Sequence, residues 1–229
     1  AAIVGGGLIG VELAEMLHSR GVHVTFLVRE DAYWSNVLPQ EEAELVSDVI
    51  RGAGIDLRLG TELAEIVDDG QGRACAVVDG SGQRFDAGFV GLTAGVRPNT
   101  SVVQGSGIEA ARGILVDRQL RTNVPDVFAA GDCAEIVAPG AGGNLIQAVW
   151  YTGRFQGEVA AENLCGGAAD YLPGTWFNSA KFFDLEYMVY GEVPAGRPTS
   201  SSGAAESLFW AHESGRHSVR LVHRGGVVV

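Results

Sequence analysis

Residues 1–21 read AAIVGGGLIGVELAEMLHSRG. Ala1 to Val4 are short and apolar, as a strand buried on both faces is. Leu8, Val11, Leu13, Ala14 and Leu17 follow near helical spacing, which predicts a helix over residues 8–19 closed by Gly21. Residues 22–28, VHVTFLV, supply a second buried strand. Strand, glycine turn, helix and strand in that order form the βαβ context in which a G-x-G-x-x-G pattern binds a dinucleotide pyrophosphate. Here Gly5 permits the tight turn, Gly7 lets the pyrophosphate approach the backbone, and Gly10 lets helix and strand pack closely. Gly6, Leu8 and Ile9 complete the loop, whose free amides and positive dipole end face the phosphates. Without that context the glycines would mark only an ordinary strand-to-helix turn.

Coenzyme choice turns on the end of the second strand. An acid there accepts the ribose 2′-hydroxyl of NADH, whereas an arginine accommodates the 2′-phosphate of NADPH. The sequence has LVRED, with Val28 where the acid is expected, Arg29 next, then Glu30 and Asp31. Arg29 favours NADPH, and Glu30 turned inward would favour NADH; solvated loop charges are the bland alternative. The reading leans slightly to NADPH.

Further along, residues 39–54 open on Pro and acids and end in Gly, which predicts a helix with Leu45, Val49 and Ile50 facing the sheet. Residues 55–59 form a third strand, and segments 65–69, 73–79 and 83–87 form a meander joined by the hairpin turns DGQG and DGSGQ. FVGLTAGVRPN is an apolar strand that runs into Gly95, near which the first domain ends. Beyond it, residues 114–116 and 127–130 read as short strands, the latter ended by Gly131 and Asp132. Residues 146–166 read as a long helix despite Gly153 and Gly157, each costing about 1 kcal/mol relative to Ala. The aromatic, alternating stretches FNSAKFFDLEYMVYGEVP and HSVRLVHRGGVVV begin a β-rich unit.

Composition narrows the partners. The chain has 229 residues, 46% of them apolar, enough for one large or two modest domains. Its 28 acidic against 16 basic residues give a net charge of −12, which repels nucleic acid and anionic membrane surfaces. No apolar run approaches the ~20 residues that span a bilayer. Cys75, Cys133 and Cys165 match neither a metal or redox C-x-x-C pair nor a disulfide framework, and read as reduced thiols in the cytoplasm.

Three ordered motifs resemble the pyridine nucleotide:disulfide oxidoreductase superfamily, particularly its ferredoxin-reductase-like, NADH-oxidase-like and nitrite-reductase-like flavoproteins. GGGLIGVELAEML is similar to that family's internal NAD(P)H loop, in which the glutamate matching Glu12 lies near the nicotinamide. LTAGVRPNT resembles the strand leaving the NAD(P)H domain, with Gly95 making room at the nicotinamide end. LRTNVPDVFAAGDCAE resembles the second FAD motif, in which the aspartate matching Asp132, after Gly131, bonds the ribityl chain. The resemblance implies an α/β fold with a three-layer Rossmann-like NAD(P)-binding domain and meander over residues 1–95. The C-terminal part of an FAD-binding dinucleotide fold would span 96–168, and the start of a β-rich interface domain 169–229.

It further implies an FAD-dependent NAD(P)H oxidoreductase with a small molecule or small redox protein as acceptor, and dimerisation through the interface domain. Gln147 and Ala148 at the helix start would meet the flavin, with Trp150 and Tyr151 either shielding the ring or serving as core. No catalytic side chain is assigned, and His212, His217 and His223 read as surface or structural. The resemblance also implies a longer flavoprotein whose first FAD-binding half precedes residue 1, so the chain alone is expected to hold NAD(P)H without tight FAD. A non-catalytic NAD(P)H-binding module and a paralogue without flavin are the competing readings.

Overall fold

The computed structural model describes residues 1–137, 143–191 and 205–229. The chain divides into two compact units, one formed by 1–95 with 179–229 and the other by 96–178. Residues 169–178 thus fall in the second unit and 179–229 in the first.

In the first unit, β1 (Ala2–Val4), β2 (Thr25–Leu27) and β3 (Asp56–Arg58) are parallel. Between them lie α1 (Leu8–His18) and α2 (Gln40–Gly52). The meander β4 (Leu63–Asp68), β5 (Ala74–Asp79) and β6 (Arg84–Asp86) intervenes before β7 (Val90–Leu92), which returns parallel to β1 and gives the order β3-β2-β1-β7. Alternation along the strands divides the core. Ile3, Phe26 and Val28 pack with Val11, Ala14, Val46 and Ile50, whereas Ala2 and Leu27 pack with Val77, Phe85 and Ala87 of the meander side. Both faces of the sheet are therefore covered, which fits the apolar runs of β1 and β7, while edge strand β3 carries Asp56 and Arg58. In α2, Ile50 is buried as expected, while Leu45 and Val49 are half-buried and Ala43, Val46 and Ser47 take the inner positions.

Strands β10 (Phe177–Phe182) and β11 (Leu185–Tyr190) form a hairpin whose Phe182 and Phe183 enter the helix-side core. The antiparallel sheet β12 (Glu206–Ala211), β13 (Ser218–Arg224) and β14 (Val227–Val228) is tied to α2 through Arg220. That guanidinium, only 10% exposed, donates to both Glu42 oxygens at 2.5 and 2.8 Å and to Glu41 at 2.9 Å. The sequence reading placed no strand at 206–211; alternation there is real, but Leu208 and Trp210 are exposed. Residues 192–194 of the predicted aromatic stretch lie outside the described residues.

The second unit is built on β8 (Ile114–Val116) and β9 (Ala134–Ile136), a parallel pair packed with α3 (Trp150–Leu164). Two expectations are corrected here. Residues 127–130 make one isolated bridge, Arg121 to Phe128, rather than a strand, because Asp126 (φ 63°) and Gly131 (φ 80°) turn the backbone on either side. The strand lies after Gly131, at 134–136. The helix begins at Trp150, not 146: Val149 is extended (φ −135°, ψ 150°), and the Thr152 hydroxyl is within reach of the Gln147 and Val149 carbonyls. Gln147 and Ala148 therefore sit in the approach to the helix.

Candidate functional site

The glycine loop is shaped by three different constraints. Gly5 adopts φ +119°, and a Cβ there would lie 2.4 Å from the Thr93 carbonyl oxygen. A Cβ on Gly10 would lie 2.4 Å from the Gly5 carbonyl oxygen and 3.0 Å from the Phe26 ring, so this glycine sets the helix-to-strand distance. A Cβ on Gly7 would meet nothing within 4 Å. Gly7 instead precedes the helix as its N-cap, without a side-chain cap and with no acid in the first turn. The Gly7 carbonyl accepts from the amides of Gly10 and Val11, whereas those of Gly6, Gly7, Leu8 and Ile9 make no backbone hydrogen bond among the described residues. Four adjacent donors at a helix start, beside open space, form a cradle that fits a phosphate group.

That loop opens on a cavity of about 610 Å3. Gly5, Gly6 and Gly7 form one wall, Arg29, Glu30, Trp34 and Asn36 another, and Thr93, Ala94 and Gly95 a third, at the carboxyl ends of the parallel strands. This is where open α/β sheets bind ligands. Arg29 is 69% exposed and donates to Glu30 at 2.8 Å, and Asn36 donates to the same carboxylate oxygen at 3.3 Å. Burial pushes the Glu30 carboxyl up, but these partners outweigh it and hold it below the ordinary carboxylate range. The Glu30 side chain is turned inward: its Oε2 lies 3.6 Å from where a Gly6 Cβ would be.

Of the sequence-predicted residues in this unit, Gly5, Gly6, Gly7, Arg29, Glu30 and Gly95 line the cavity together. Leu8, Ile9, Gly10 and Glu12 do not line it; Glu12 is exposed on α1 and Gly10 is buried beneath the loop. Sequence reasoning missed Thr93, whose hydroxyl donates to the Val4 carbonyl at 2.9 Å and lies 3.2 Å from that of Gly5. Its position inside the LTAGVRPNT stretch was the available signal. It also missed Tyr33, whose phenol donates to the Gly7 carbonyl at 2.7 Å. No pattern in the sequence marks a tyrosine 26 residues after its partner.

In the second unit, Gly131 and Asp132 occupy a one-turn 3-10 helix before β9. Asp132 is exposed, and among the described residues its carboxylate has no hydrogen-bond or ion-pair partner. The turn is held from below: the Gly131 amide donates to Gln156 Oε1 at 2.7 Å, and Gly153 of α3 faces the Gly131 Cα. Gln156 is fully buried. The phenol of Tyr171, pushed up by burial, donates to Gln147 Oε1 at 2.8 Å and fixes that side chain beside the helix start. Ala148 follows in the same extended segment. Trp150 is 70% exposed, so it is not core, while Tyr151 packs on Phe177 at 4.7 Å. An unpaired carboxylate on a glycine turn and an uncapped helix start fit a polyhydroxyl chain and an electron-rich ring edge.

Among the described residues no cluster of three or more His, Cys, Asp or Glu could hold a metal ion, and no helix is long and apolar enough to cross a membrane. His212 pairs with Ser214, and His223 lies 3.8 Å from Glu206.

Residues 1–157 match the family described as pyridine nucleotide-disulphide oxidoreductase, and the chain belongs to that family. It is 38% identical over 134 residues to a nitric oxide reductase FlRd-NAD(+) reductase of Vibrio vulnificus, covering 58% of this chain and 35% of that protein. It is 33% identical over 221 residues to the 5,5′-dehydrodivanillate O-demethylase ferredoxin reductase subunit of a Sphingobium species, covering 92% and 53% respectively. Among solved structures, the ferredoxin reductase for the CYP199A2 system of Rhodopseudomonas palustris has the same fold. The TM-score is 0.83 at 24% identity, over all of this chain and 54% of that one. The chain thus spans about a third to a half of the length of these relatives.

Proposed function

We propose that the chain is the nucleotide-handling part of a flavoprotein reductase that takes hydride from NAD(P)H and passes electrons through FAD to a small redox protein or small molecule. The observation that carries this reading is the run of amides at Gly6–Ile9 with no partner among the described residues, of which Gly6 and Gly7 line the cavity also walled by Glu30 and Gly95. The relatives' names, a ferredoxin reductase subunit and a terpredoxin reductase among them, support the redox-protein acceptor. When bound, NAD(P)H supplies a hydride and FAD accepts it, chemistry that needs orientation more than a side-chain acid. This chain's residues do the orienting. The loop amides fix the pyrophosphate, and Gly95 leaves the far end of the cavity open for the nicotinamide. Glu12, exposed on α1, is assigned to its carboxamide from the family resemblance. Asp132 accepts from the ribityl hydroxyls, and Gln147, Ala148 and the α3 start meet the ring edge. The unpaired thiols of Cys75, Cys133 and Cys165 fit a reducing, cytoplasmic setting. In this reading residues 1–95 serve as the NAD(P)H domain and 96–168 as part of the FAD domain, while 169–229, divided between the two compact units, contribute to the interface through which the intact protein dimerises.

Within this reading the coenzyme is NADH rather than NADPH. The inward Glu30 carboxylate is placed to accept a ribose hydroxyl and repel a 2′-phosphate, while Arg29 is turned to solvent and engaged by Glu30 itself. Titration of the purified chain with NADH and NADPH tests both statements. NADH is expected to bind more tightly, and Glu30→Gln to narrow the gap by on the order of tenfold, as loss of a charged hydrogen bond would. If neither dinucleotide binds, the functional reading fails; if NADPH binds at least as tightly as NADH, only the coenzyme assignment fails.

A further inference from the structure

Tyr33 is the largest fully buried side chain among the described residues, yet it carries a hydroxyl. Three contacts fix it. Its backbone amide donates to Ser47 Oγ of α2 at 3.0 Å, and Ser47 in turn donates to the Ala43 carbonyl at 2.7 Å. Its ring is wedged between Phe26 of β2, 5.8 Å away, and Phe182 of the β10–β11 hairpin, edge-on at 5.9 Å. Its phenol reaches the Gly7 carbonyl. A core position would be filled as well by phenylalanine, since burying a hydroxyl is costly unless it is paired.

The pairing acts on one peptide plane. The Gly7 carbonyl already accepts from Gly10 and Val11, and the phenol is a third donor on the same oxygen. Because the peptide unit is rigid and trans, an inward-held Gly7 carbonyl obliges the Leu8 amide of the same plane to point the opposite way, out of the core. Gly7 has no side chain to hold that orientation by packing, and its own Cβ direction is open. Neighbouring Trp34 has a left-handed backbone (φ 59°) and packs edge-on to Phe182 and Tyr187, so the segment after β2 is held from the hairpin side as well.

From this geometry we infer that Tyr33 is a positioning residue for the phosphate cradle: its hydroxyl presets the Gly7–Leu8 peptide so that the Leu8 amide meets the pyrophosphate, and the β10–β11 hairpin steadies it through Phe182. The inference rests on the reading of the loop as a dinucleotide site. Burial, with the Glu12 carboxylate a smaller cause, pushes the phenol up, so it stays a donor throughout the neutral range.

Tyr33→Phe keeps the ring and removes only the donor. The whole chain and this variant are titrated calorimetrically with NADH, with ADP-ribose, which has the pyrophosphate but no nicotinamide, and with adenosine, which lacks phosphate. Their urea unfolding midpoints are compared in parallel. The expected result is a loss of NADH and ADP-ribose affinity by the same factor, about 3- to 10-fold for one hydrogen bond, with adenosine affinity unchanged. Equal NADH affinity in the two proteins overturns the inference while leaving the site intact. Loss of adenosine affinity in step with NADH, together with a lowered midpoint, also overturns it, because Tyr33 would then act through packing alone. If the unmodified chain binds neither NADH nor ADP-ribose, the dinucleotide reading itself falls, and the inference with it.

Discussion

Gly10→Ala should destabilise the first unit, although the same change in most helices stabilises. Within a helix interior, alanine gains about 1 kcal/mol over glycine. Here the added Cβ would lie 2.4 Å from the Gly5 carbonyl oxygen and 2.8 Å from Thr93 Oγ1, where ordinary contact starts at 3.4 Å. The carbonyl cannot retreat, since Gly5 is itself pressed against the Thr93 backbone, and the Phe26 ring behind it is fully buried. Relief requires α1 to lift by roughly 1 Å, opening the contacts of Val11 and Ala14 with the sheet. Overpacking of this kind costs about 1–3 kcal/mol, and backbone displacement places the cost at the upper end, for a net loss of about 2 kcal/mol. With a urea m-value of about 2 kcal/mol/M, the midpoint should fall by about 1 M. Tryptophan fluorescence during urea titration reads this out, Trp34 lying within the affected unit. The matched control is Gly7→Ala, whose Cβ meets only open space. It should change stability by less than about 1 kcal/mol, the scale of a capping change, while lowering NADH affinity at least tenfold. A Gly10→Ala protein as stable as its parent would refute the argument that this glycine sets the helix-to-strand distance.

Arg220→Met should cost about 2–4 kcal/mol in urea unfolding, because it leaves Glu42, 14% exposed, without its cation. Adding Glu42→Gln should restore part of that loss, and a double mutant no better than the single would count against an ion-pair origin. Glu135, 3% exposed, is pushed up by burial but held below the ordinary carboxylate range by the Gly113 amide, Asn144 and Arg112. A depressed native pKa means that the unfolded chain takes up the proton first. Its stabilisation is therefore complete above about pH 4.3 and is lost as pH falls through the lower native value. Glu135→Gln should flatten the acid limb of a stability-against-pH curve; an unchanged limb would show that other carboxylates set it.

The first unit was legible because its signals are local. The glycine spacing in residues 5–10, the Pro39 start of α2 and the two glycine-rich hairpin turns each announce a backbone event within a few residues of itself. The second unit was harder. VFAA at 127–130 is as apolar as a strand, yet its backbone bonds return to nearby Leu120, Thr122 and Val124, and nothing in those four letters reveals the left-handed Asp126. The α3 boundary moved for a similar reason: Thr152 reaches back to two carbonyls, a choice that helical periodicity does not register. At the candidate site, the glycines and the Arg29–Glu30 pair could be named, but the direction each charge faces could not. Orientation depended on Asn36 and on the inward turn at Gly6, and Tyr33 depended on Phe182, almost 150 residues away in the chain.

The central strand of the first unit is also its earliest, and this shapes how the sheet is assembled. β1 pairs on one side with β2, Ala2 opposite Thr25, and on the other with β7, Ala2 opposite Val90. The first pairing closes a short βαβ loop. The second must wait until α2, β3 and the entire meander have been threaded between, which raises contact order and the entropy of closure. A three-stranded half-sheet with one unpaired edge on β1 is thus the natural waiting state during folding. Such an edge invites pairing with another chain until β7 covers it.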